Sequence, residues 1–507
     1  MKVHALAQAS LRELELIEMR EILKKSWYES KKLWHIALPA VITLVLQFSI
    51  SFVTVAFSGH IGDVELDAVA VVENVIEGFV YGVLLGMGSA LETLCGQAVG
   101  AGQFEMLGIY MQRSWIICLT TALFLTPVYI FTSPILKVLR QSKQISETAG
   151  QYTLWAIPQL FAYAFNFPLQ KFFQSQSRVW VMTAISGVVL GVHVLLNWVF
   201  VIKLGKGLIG AAMVGNISWW LINLGQFLYL ISGAFPEAWK GFSRAAFKNL
   251  AGFVRLSLAS AVMLCLELWY FSAVIILVGL LRHPELEVGA ISISMNYELW
   301  TFMIALGFNV AISVRVSNEL GANHPKAANF SVIIAVITSA FIGLIFTIVV
   351  LVERKELPKF FTDSPDLIKE TSKLGFLLAA TILLNSIQPV LSGVAIGAGW
   401  QTLVAFINTG CYYMVGLPLG AILGFKLKMD ALGIWSGMLV GTALQTILLL
   451  TITFKTKWQK EATLAEERIK VWGGHVELPS SQVAAIEQNS IHKANNIYEL
   501  EKNPSKS

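Results

Sequence analysis

The chain has 507 residues, of which 55% are hydrophobic and only 14% are charged. Soluble globular domains usually carry about 25% charged residues, so this composition excludes a soluble protein and indicates a polytopic membrane protein. The net charge of +5 does not indicate a nucleic-acid partner, because the apolar runs leave no separate domain to bind one. The four cysteines lie in or at the ends of apolar runs without CxxC spacing, so we expect neither a disulfide framework nor a metal site.

Apolar runs of about 20 residues, long enough to cross a bilayer as helices, recur along nearly the whole chain. Before them, the polar residues 1–33 predict a cytosolic N-terminal tail, which is either an amphipathic surface helix or a partly ordered segment. The sequence therefore predicts an all-α protein with about twelve transmembrane helices, near residues 34–57, 69–93, 114–136, 151–173, 179–202, 207–232, 253–281, 288–313, 328–352, 374–397, 401–424 and 430–454. This divides the chain into an N-lobe (34–235), a cytosolic connector (236–252), a C-lobe (253–455) and a cytosolic C-terminal tail (456–507).

Charged residues around the first span predict the orientation of the chain. Lysine and arginine are frequent between residues 2 and 32, whereas the loop after the first span carries only acids, at 63–67. Because cytosolic segments are enriched in basic residues, we expect both termini to face the cytosol.

An internal repeat supports two lobes of six helices each. Gly100 after the second span has a counterpart in Gly321 after the eighth, and Pro168 in the fourth has one in Pro389 in the tenth. Both pairs are 221 residues apart (321 − 100 and 389 − 168). Such repeats are related by a pseudo-two-fold axis, with the substrate path between the lobes.

One acid, Glu267, lies deep in the seventh span. A carboxylate at mid-membrane depth costs roughly 2.5–3.5 kcal/mol, so it indicates a function by default. Tyr270 follows one turn later, and the next span carries Asn296, Glu298 and Trp300. We expect Glu267 and Glu298 to share one pocket and to carry protons, with Asn296 and Tyr270 as polar support; the alternative is a permanently protonated, hydrogen-bonded acid.

The tenth span carries Asn385, Gln388 and Ser392 on one helical face, beside Pro389. Asn385 and Ser392 are expected to support the acids, and Gln388 to line the substrate cavity. Hydrogen bonding between helices is the alternative role for this stripe.

In the first lobe a polar stripe follows the fourth span. It predicts a face lining the substrate cavity, with structural packing as the alternative; its residues are Gln159, Tyr163, Asn166 and Gln170. Gln47 lies at a depth comparable to that of Glu267, and Trp300 and Tyr412 are aromatic candidates for the same cavity. Glu73 and Glu77 are placed nearer the far-side mouth, with a vestibule role or none, and His193 with Asn197 predicts a satisfied core histidine.

The chain lacks the patterns of catalysis and nucleotide use. It has no Walker A sequence, no metal-ligand cluster and no nucleophile elbow, so we expect no enzyme activity and no cofactor. Energy for pumping must then come from an ion gradient.

Five motifs together resemble the multidrug and toxic compound extrusion (MATE) family in its plant branch. Spaced as in that family and covering about residues 30–470, they are Ser58-Gly-His-Ile-Gly62, Ser89-Ala-Leu-Glu-Thr-Leu-Cys-Gly-Gln-Ala98, Cys265-Leu-Glu-Leu-Trp-Tyr270, Ser313-Val-Arg-Val-Ser-Asn-Glu-Leu-Gly-Ala322 and Gln388-Pro-Val-Leu-Ser-Gly-Val-Ala-Ile-Gly-Ala-Gly-Trp-Gln401. The resemblance implies a twelve-helix, two-lobe antiporter driven by protons or sodium. The resemblance is strongest to vacuolar-membrane members of the family that load flavonoid conjugates into the vacuole.

The family's ion-binding residues are only partly present. Glu267 matches the seventh-helix acid of the family and Glu298 an eighth-helix acid found in many eukaryotic members. Asn385 stands where several members have an aspartate, and Thr54 replaces the first-helix aspartate of bacterial relatives. The resemblance therefore places the proton site in the second lobe.

The resulting hypothesis is a monomeric, proton-coupled antiporter in a lipid bilayer that moves a small organic solute, such as a flavonoid conjugate, into the vacuole. A plasma-membrane exporter with the same mechanism is the second location. The alternative function is a gated anion (chloride) channel of the vacuolar membrane.

Overall fold

The computed structural model describes the backbone of residues 2–248, 250–281 and 284–472, and the side chains of residues 18–248, 250–281 and 286–471. The long helices of the first half are α1 (Lys2–Ser58), α2 (Asp63–Gly100), α3 (Glu105–Ile130), α4 (Lys143–Ser175), α5 (Val179–Lys203) and α6 (Gly207–Ile231). Those of the second half are α7 (Leu250–Gly279), α8 (Pro284–Gly321), α9 (Pro325–Glu353), α10 (Pro365–Ala398), α11 (Gln401–Lys426), α12 (Asp430–Lys455) and the shorter α13 (Trp458–Trp472). Helices satisfy their own backbone polar groups, which is why such apolar runs adopt them in a bilayer.

Eleven of the helices in the described ranges are long and apolar enough to cross a membrane, against about twelve predicted. The exception is α4, which contains the predicted span 151–173. Its 33 residues give a length of about 50 Å, more than a bilayer core requires. The polar side chains that lower its hydropathy are buried against the neighbouring helices, so they do not face lipid; they include Gln159, Asn166, Gln170, Lys171 and Gln174.

The segments predicted as N-terminal and C-terminal tails contain helix in their described parts. The first helix, α1, begins at Lys2, so the polar residues 2–33 and the first span form one continuous helix. After α12, the helix α13 packs against α2, α8 and α9. Arg468 of α13 donates a hydrogen bond to the carbonyl oxygen of Ala398 (2.8 Å). Residues 473–507 of the predicted C-terminal tail lie outside the described residues.

The repeat is visible as reciprocal packing between α2 and α8. A Cβ atom added at Gly100 would lie 1.9 Å from the carbonyl oxygen of Asn318, and one added at Gly321 would lie 2.0 Å from that of Gln97. Asn318 is itself the repeat counterpart of Gln97 (318 − 97 = 221). The two crossings are therefore the same contact made twice, which is what a pseudo-two-fold axis between two lobes produces.

The lobes join at the ends that the charge pattern places in the cytosol. Gln97 of α2 donates to the carbonyl oxygen of Gly397 (3.2 Å), and Arg315 of α8 contacts Glu29 of α1 (2.7 Å). Ser331 of α9 also donates to Glu29 (2.6 Å). These contacts tie α1 and α2 of the first lobe to α8, α9 and α10 of the second.

Candidate functional site

A polar site lies inside the second lobe, where α7 and α8 each present one acid to α10. Gln388 of α10 donates from Nε2 to Oε1 of Glu267 on α7, at 2.8 Å. Asn385, three residues earlier on the same helical face, donates from Nδ2 to Oε1 of Glu298 on α8. Glu267 is 7% exposed and Glu298 is 6% exposed. The two acids are therefore hydrogen-bonded to side chains that lie one turn apart on the same helix.

Neither acid forms a salt bridge within the described part of the chain. The second oxygen of Glu267, Oε2, is buried without a hydrogen-bond partner. Because a buried charge without a counter-charge is strongly unfavourable, each carboxyl is stable here mainly in its neutral form. An amide NH₂ can donate to a neutral or to an ionised carboxyl, so a proton can come and go without loss of the bond.

The tenth helix is interrupted at this site. Pro389 lacks an N–H group, so the carbonyl of Asn385 loses its intrahelical partner. Asn309 of α8 donates to the carbonyl oxygen of Pro389 (2.7 Å), and Gln388 also donates to the hydroxyl of Ser392 (3.1 Å). Ser392 thus contacts Gln388 and supports Glu267 through that amide.

Three predicted members of the site have other contacts. Tyr270 donates its hydroxyl to the carbonyl oxygen of Met438 (3.0 Å), so it does not bond Glu267. Asn296 donates to the carbonyl oxygen of Ser292 in its own helix (2.9 Å) and is exposed, and Trp300 is 56% exposed. Asn296 and Trp300 each lie two residues from Glu298, about 200° around the helix, so neither is on the same helical face as Glu298. Neither Tyr270 nor Asn296 therefore forms the predicted hydrogen bond to an acid of the site.

The aromatic candidate Tyr412 lies inside the second lobe rather than on an open cavity wall. Its ring stacks on Tyr270 with centroids 4.2 Å apart, and it is 2% exposed. It is close enough to Glu267 to interact with it electrostatically. Tyr412 therefore belongs to the buried interior of the second lobe.

The polar stripe of α4 faces the interior of the first lobe. Gln170 donates to Gln47 (3.2 Å), and Asn166 donates to Asn223 of α6 (3.0 Å). Gln47, Asn166 and Gln170 are all buried. The structure favours the alternative of hydrogen bonds between helices over a cavity lining made of Gln47, Asn166 and Tyr163.

Glu77 of the first lobe is more buried than the predicted place near the far-side mouth implies. Glu77 is 3% exposed, and its Oε2 accepts hydrogen bonds from Gln159 (3.1 Å) and Tyr163 (3.2 Å). It follows the start of α2 at Asp63 by 14 residues, about 21 Å of helix. The repeat could have identified it, because the offset that relates the lobes takes Glu77 to Glu298 (298 − 77 = 221).

Two other buried ionisable groups, Glu92 and His193, have close partners. Glu92 is paired with Lys171 at 2.6 Å. His193 is confirmed as a satisfied core histidine, with ring nitrogens at hydrogen-bonding distance from Thr54 (3.1 Å), Asn197 (2.9 Å) and Ser218 (2.8 Å). Among the described residues no group of three or more His, Cys, Asp or Glu side chains could hold a metal ion.

Comparisons with known proteins agree with this architecture. The MatE family model matches residues 39–199 and 259–422. The chain is similar to Protein DETOXIFICATION 33 of Arabidopsis thaliana, at 56% identity over 446 residues (88% of this chain, 92% of the relative), and to Protein DETOXIFICATION 29 of the same species, at 53% over 448 residues (88% and 90%).

Solved structures show the same fold. The crystal structure of the eukaryotic MATE transporter AtDTX14 matches with a TM-score of 0.83 and 31% identity, covering 88% of this chain and all of that one. The Vibrio cholerae MATE transporter VcmN in its bent form matches with a TM-score of 0.73 over 87% of this chain and 99% of its own. At 17% identity this second likeness concerns the fold alone.

Proposed function

From the premise that this chain belongs to the MatE family of membrane transporters, we propose that it is a proton-coupled antiporter working by alternating access. It carries an organic solute out of the cytosol in exchange for protons. The coupling residues are Glu267 and Glu298, held by Gln388 and Asn385.

A single observation carries this proposal: two buried acids of the second lobe have amide partners and no cationic partner in the described part of the chain. An acid that serves only as structural support is normally paired with a base, as Glu92 is with Lys171. Unpaired acids at this depth instead mark ion pathways and proton relays.

The cycle follows from the geometry of α10. A proton from the acidic compartment neutralises Glu267, with Glu298 as the second acceptor. Neutralisation weakens the hydrogen bonds from Gln388 and Asn385, because bonds to charged groups are the stronger ones. Both amides lie within a turn of Pro389, where the helix already lacks one backbone bond, so α10 can shift against α7 and α8 and release the solute.

Cargo and location belong to the same proposal. The Arabidopsis relatives are named for detoxification, which fits an organic cargo. We assign the protein to the vacuolar membrane, with a flavonoid conjugate or similar secondary metabolite as cargo and the plasma membrane as the second location. One pH unit supplies about 1.4 kcal/mol per proton, enough for roughly tenfold accumulation.

Uptake into acid-loaded proteoliposomes tests the proposal. A panel of flavonoid glycosides, alkaloids, organic acids and chloride identifies the cargo, and the variant Glu267→Gln should then reduce pH-driven uptake to background because the amide cannot exchange a proton. Glu147→Gln, which changes an exposed acid bonded to Lys137, is the matched control and should transport normally. Unchanged uptake by Glu267→Gln would contradict proton coupling at this residue.

The same vesicles distinguish a channel. A steady chloride current without a pH gradient, at a rate far above the turnover of a carrier, would indicate a gated anion channel instead of an antiporter.

A further inference from the structure

The first lobe contains an unpaired acid at the position that Glu298 occupies in the second. Glu77 precedes Glu298 by 221 residues, the offset that also relates Gly100 to Gly321 and Gln97 to Asn318. Each of the two acids accepts a hydrogen bond from a side-chain amide on the fourth helix of its own lobe, Gln159 of α4 or Asn385 of α10. We infer that Glu77 is a proton-binding site of the first lobe, which loads and releases one proton in each transport cycle.

The contacts of Glu77 leave one oxygen for that proton. Oε2 accepts from Gln159 Nε2 at 3.1 Å and from the Tyr163 hydroxyl at 3.2 Å. Oε1 is buried and has no hydrogen-bond partner, and neither has the side-chain oxygen of Gln159. A proton on Oε1 gives the carboxyl a neutral form that keeps both bonds at Oε2.

The surroundings supply no positive charge. The titratable groups that face Glu77 are Glu73 on its own helix, Tyr129 on α3, and Tyr152 and Tyr163 on α4. None of these is cationic, and the salt bridges of the described residues in this lobe's interior do not reach it. With one acid and three phenols around it, an ionised Glu77 has no counter-charge, whereas Glu92 on the same helix has Lys171 at 2.6 Å.

The backbone of this segment is also irregular. Residues Val72–Glu77 form a π-helical segment within α2, in which Glu73 is the second residue and Glu77 the last. Such segments are frequent at functional sites, because the wider turn reorients side chains and is easily rearranged. The segment gives Glu77 a local means to change exposure between two states of the lobe.

The donor set selects a proton over a metal cation. Hard cations require several oxygen lone pairs around one point. Here the two side chains that contact Glu77 present hydrogens to it, an amide N–H and a phenol O–H. Oε1 of Glu77 and the side-chain oxygen of Gln159 are the two oxygens left without a partner, fewer than the several that a hard cation requires.

Chemical modification of the unaltered protein tests the protonation state directly. Dicyclohexylcarbodiimide reacts with neutral carboxyl groups in apolar surroundings, and mass spectrometry locates the adduct. At neutral pH we expect adducts on Glu77, as on Glu267 and Glu298, and none on the paired Glu92. Adducts on Glu267 and Glu298 with Glu77 unmodified would overturn the inference; adducts on Glu77 alone would instead contradict the proposed function.

Coupling stoichiometry tests the transport role, which rests on the proposed antiport. In proteoliposomes at one pH unit of gradient, Glu77→Gln should lower the steady-state accumulation of cargo about tenfold, since one fewer proton is exchanged per solute. Glu147→Gln is the control. An unchanged accumulation ratio, or a ratio that follows a sodium gradient, would overturn the inference. Should Glu77→Gln fail to fold, the carbodiimide result on the unaltered protein decides.

Discussion

The two lobes share one fold and differ in how they treat buried charge. In the second lobe, Glu267 and Glu298 both contact amides of α10 and have no basic partner in the described residues. In the first lobe, Glu77 is unpaired, Glu92 is paired with Lys171, and His193 is held by neutral side chains. In the proposed mechanism, this difference in pairing separates an acid that holds helices together from acids that exchange protons.

We expect the largest loss of stability from a substitution that breaks the ion pair between Lys171 and Glu92 in the first lobe. Lys171→Met leaves Glu92, whose side chain is 1% exposed, without a counter-charge. Removing one partner of a buried pair costs about 3–5 kcal/mol, so the variant should lose most of its thermal stability in detergent. The double variant Lys171→Met/Glu92→Gln should regain much of it. A Lys171→Met protein as stable as the wild type would mean that Glu92 is already neutral.

The pseudo-symmetry of the lobes predicts a pair of equal effects. Gly100→Ala and Gly321→Ala each place a Cβ about 2 Å from a carbonyl oxygen of the opposite lobe, so both should separate α2 from α8. Overpacking of this kind costs about 1–3 kcal/mol, seen as a lower melting temperature. Gly191→Ala, where an added Cβ meets nothing within 4 Å, is the control. A large difference between Gly100→Ala and Gly321→Ala would contradict reciprocal packing.

A smaller effect concerns the pH dependence of transport. Asn385→Ala removes the donor to Glu298, which stabilises the ionised carboxyl more than the neutral one. The proton is then held more tightly, and half-maximal uptake should move to higher luminal pH, by about one to two units. Gln388→Ala should act in the same direction at Glu267. The pH profile of uptake measures both shifts, and a move to lower pH would contradict the assigned donors.

Sequence patterns predicted the helices and the repeat because both depend on local composition. An apolar run locates a span without knowledge of the helices around it. Among the described spans α4 alone is not apolar enough to be recognised by hydropathy, because it carries a polar stripe that is buried against other helices. The acids Glu267 and Glu298 were found for the same reason, as charges inside apolar runs.

Partners of those acids depend on which faces meet, and the linear sequence does not fix that. Tyr270 stands one turn from Glu267 but contacts Met438 of α12, whereas Gln388, predicted as a cavity residue, bonds the acid. Asn385 reaches Glu298 because α8 and α10 pack closely. Glu77 was predictable only through the repeat, since no local pattern distinguishes it from Glu73.

Proton flux during transport tests the central claim most directly. Proteoliposomes with an acidic interior and an entrapped pH-sensitive dye report protons leaving as cargo enters. For the wild-type protein we predict that adding cargo outside raises the interior pH in step with uptake, and that the double variant Glu267→Gln/Glu298→Gln shows neither signal while folding normally. Cargo-driven alkalinisation at the wild-type rate in the double variant would contradict the assignment of proton coupling to these two acids.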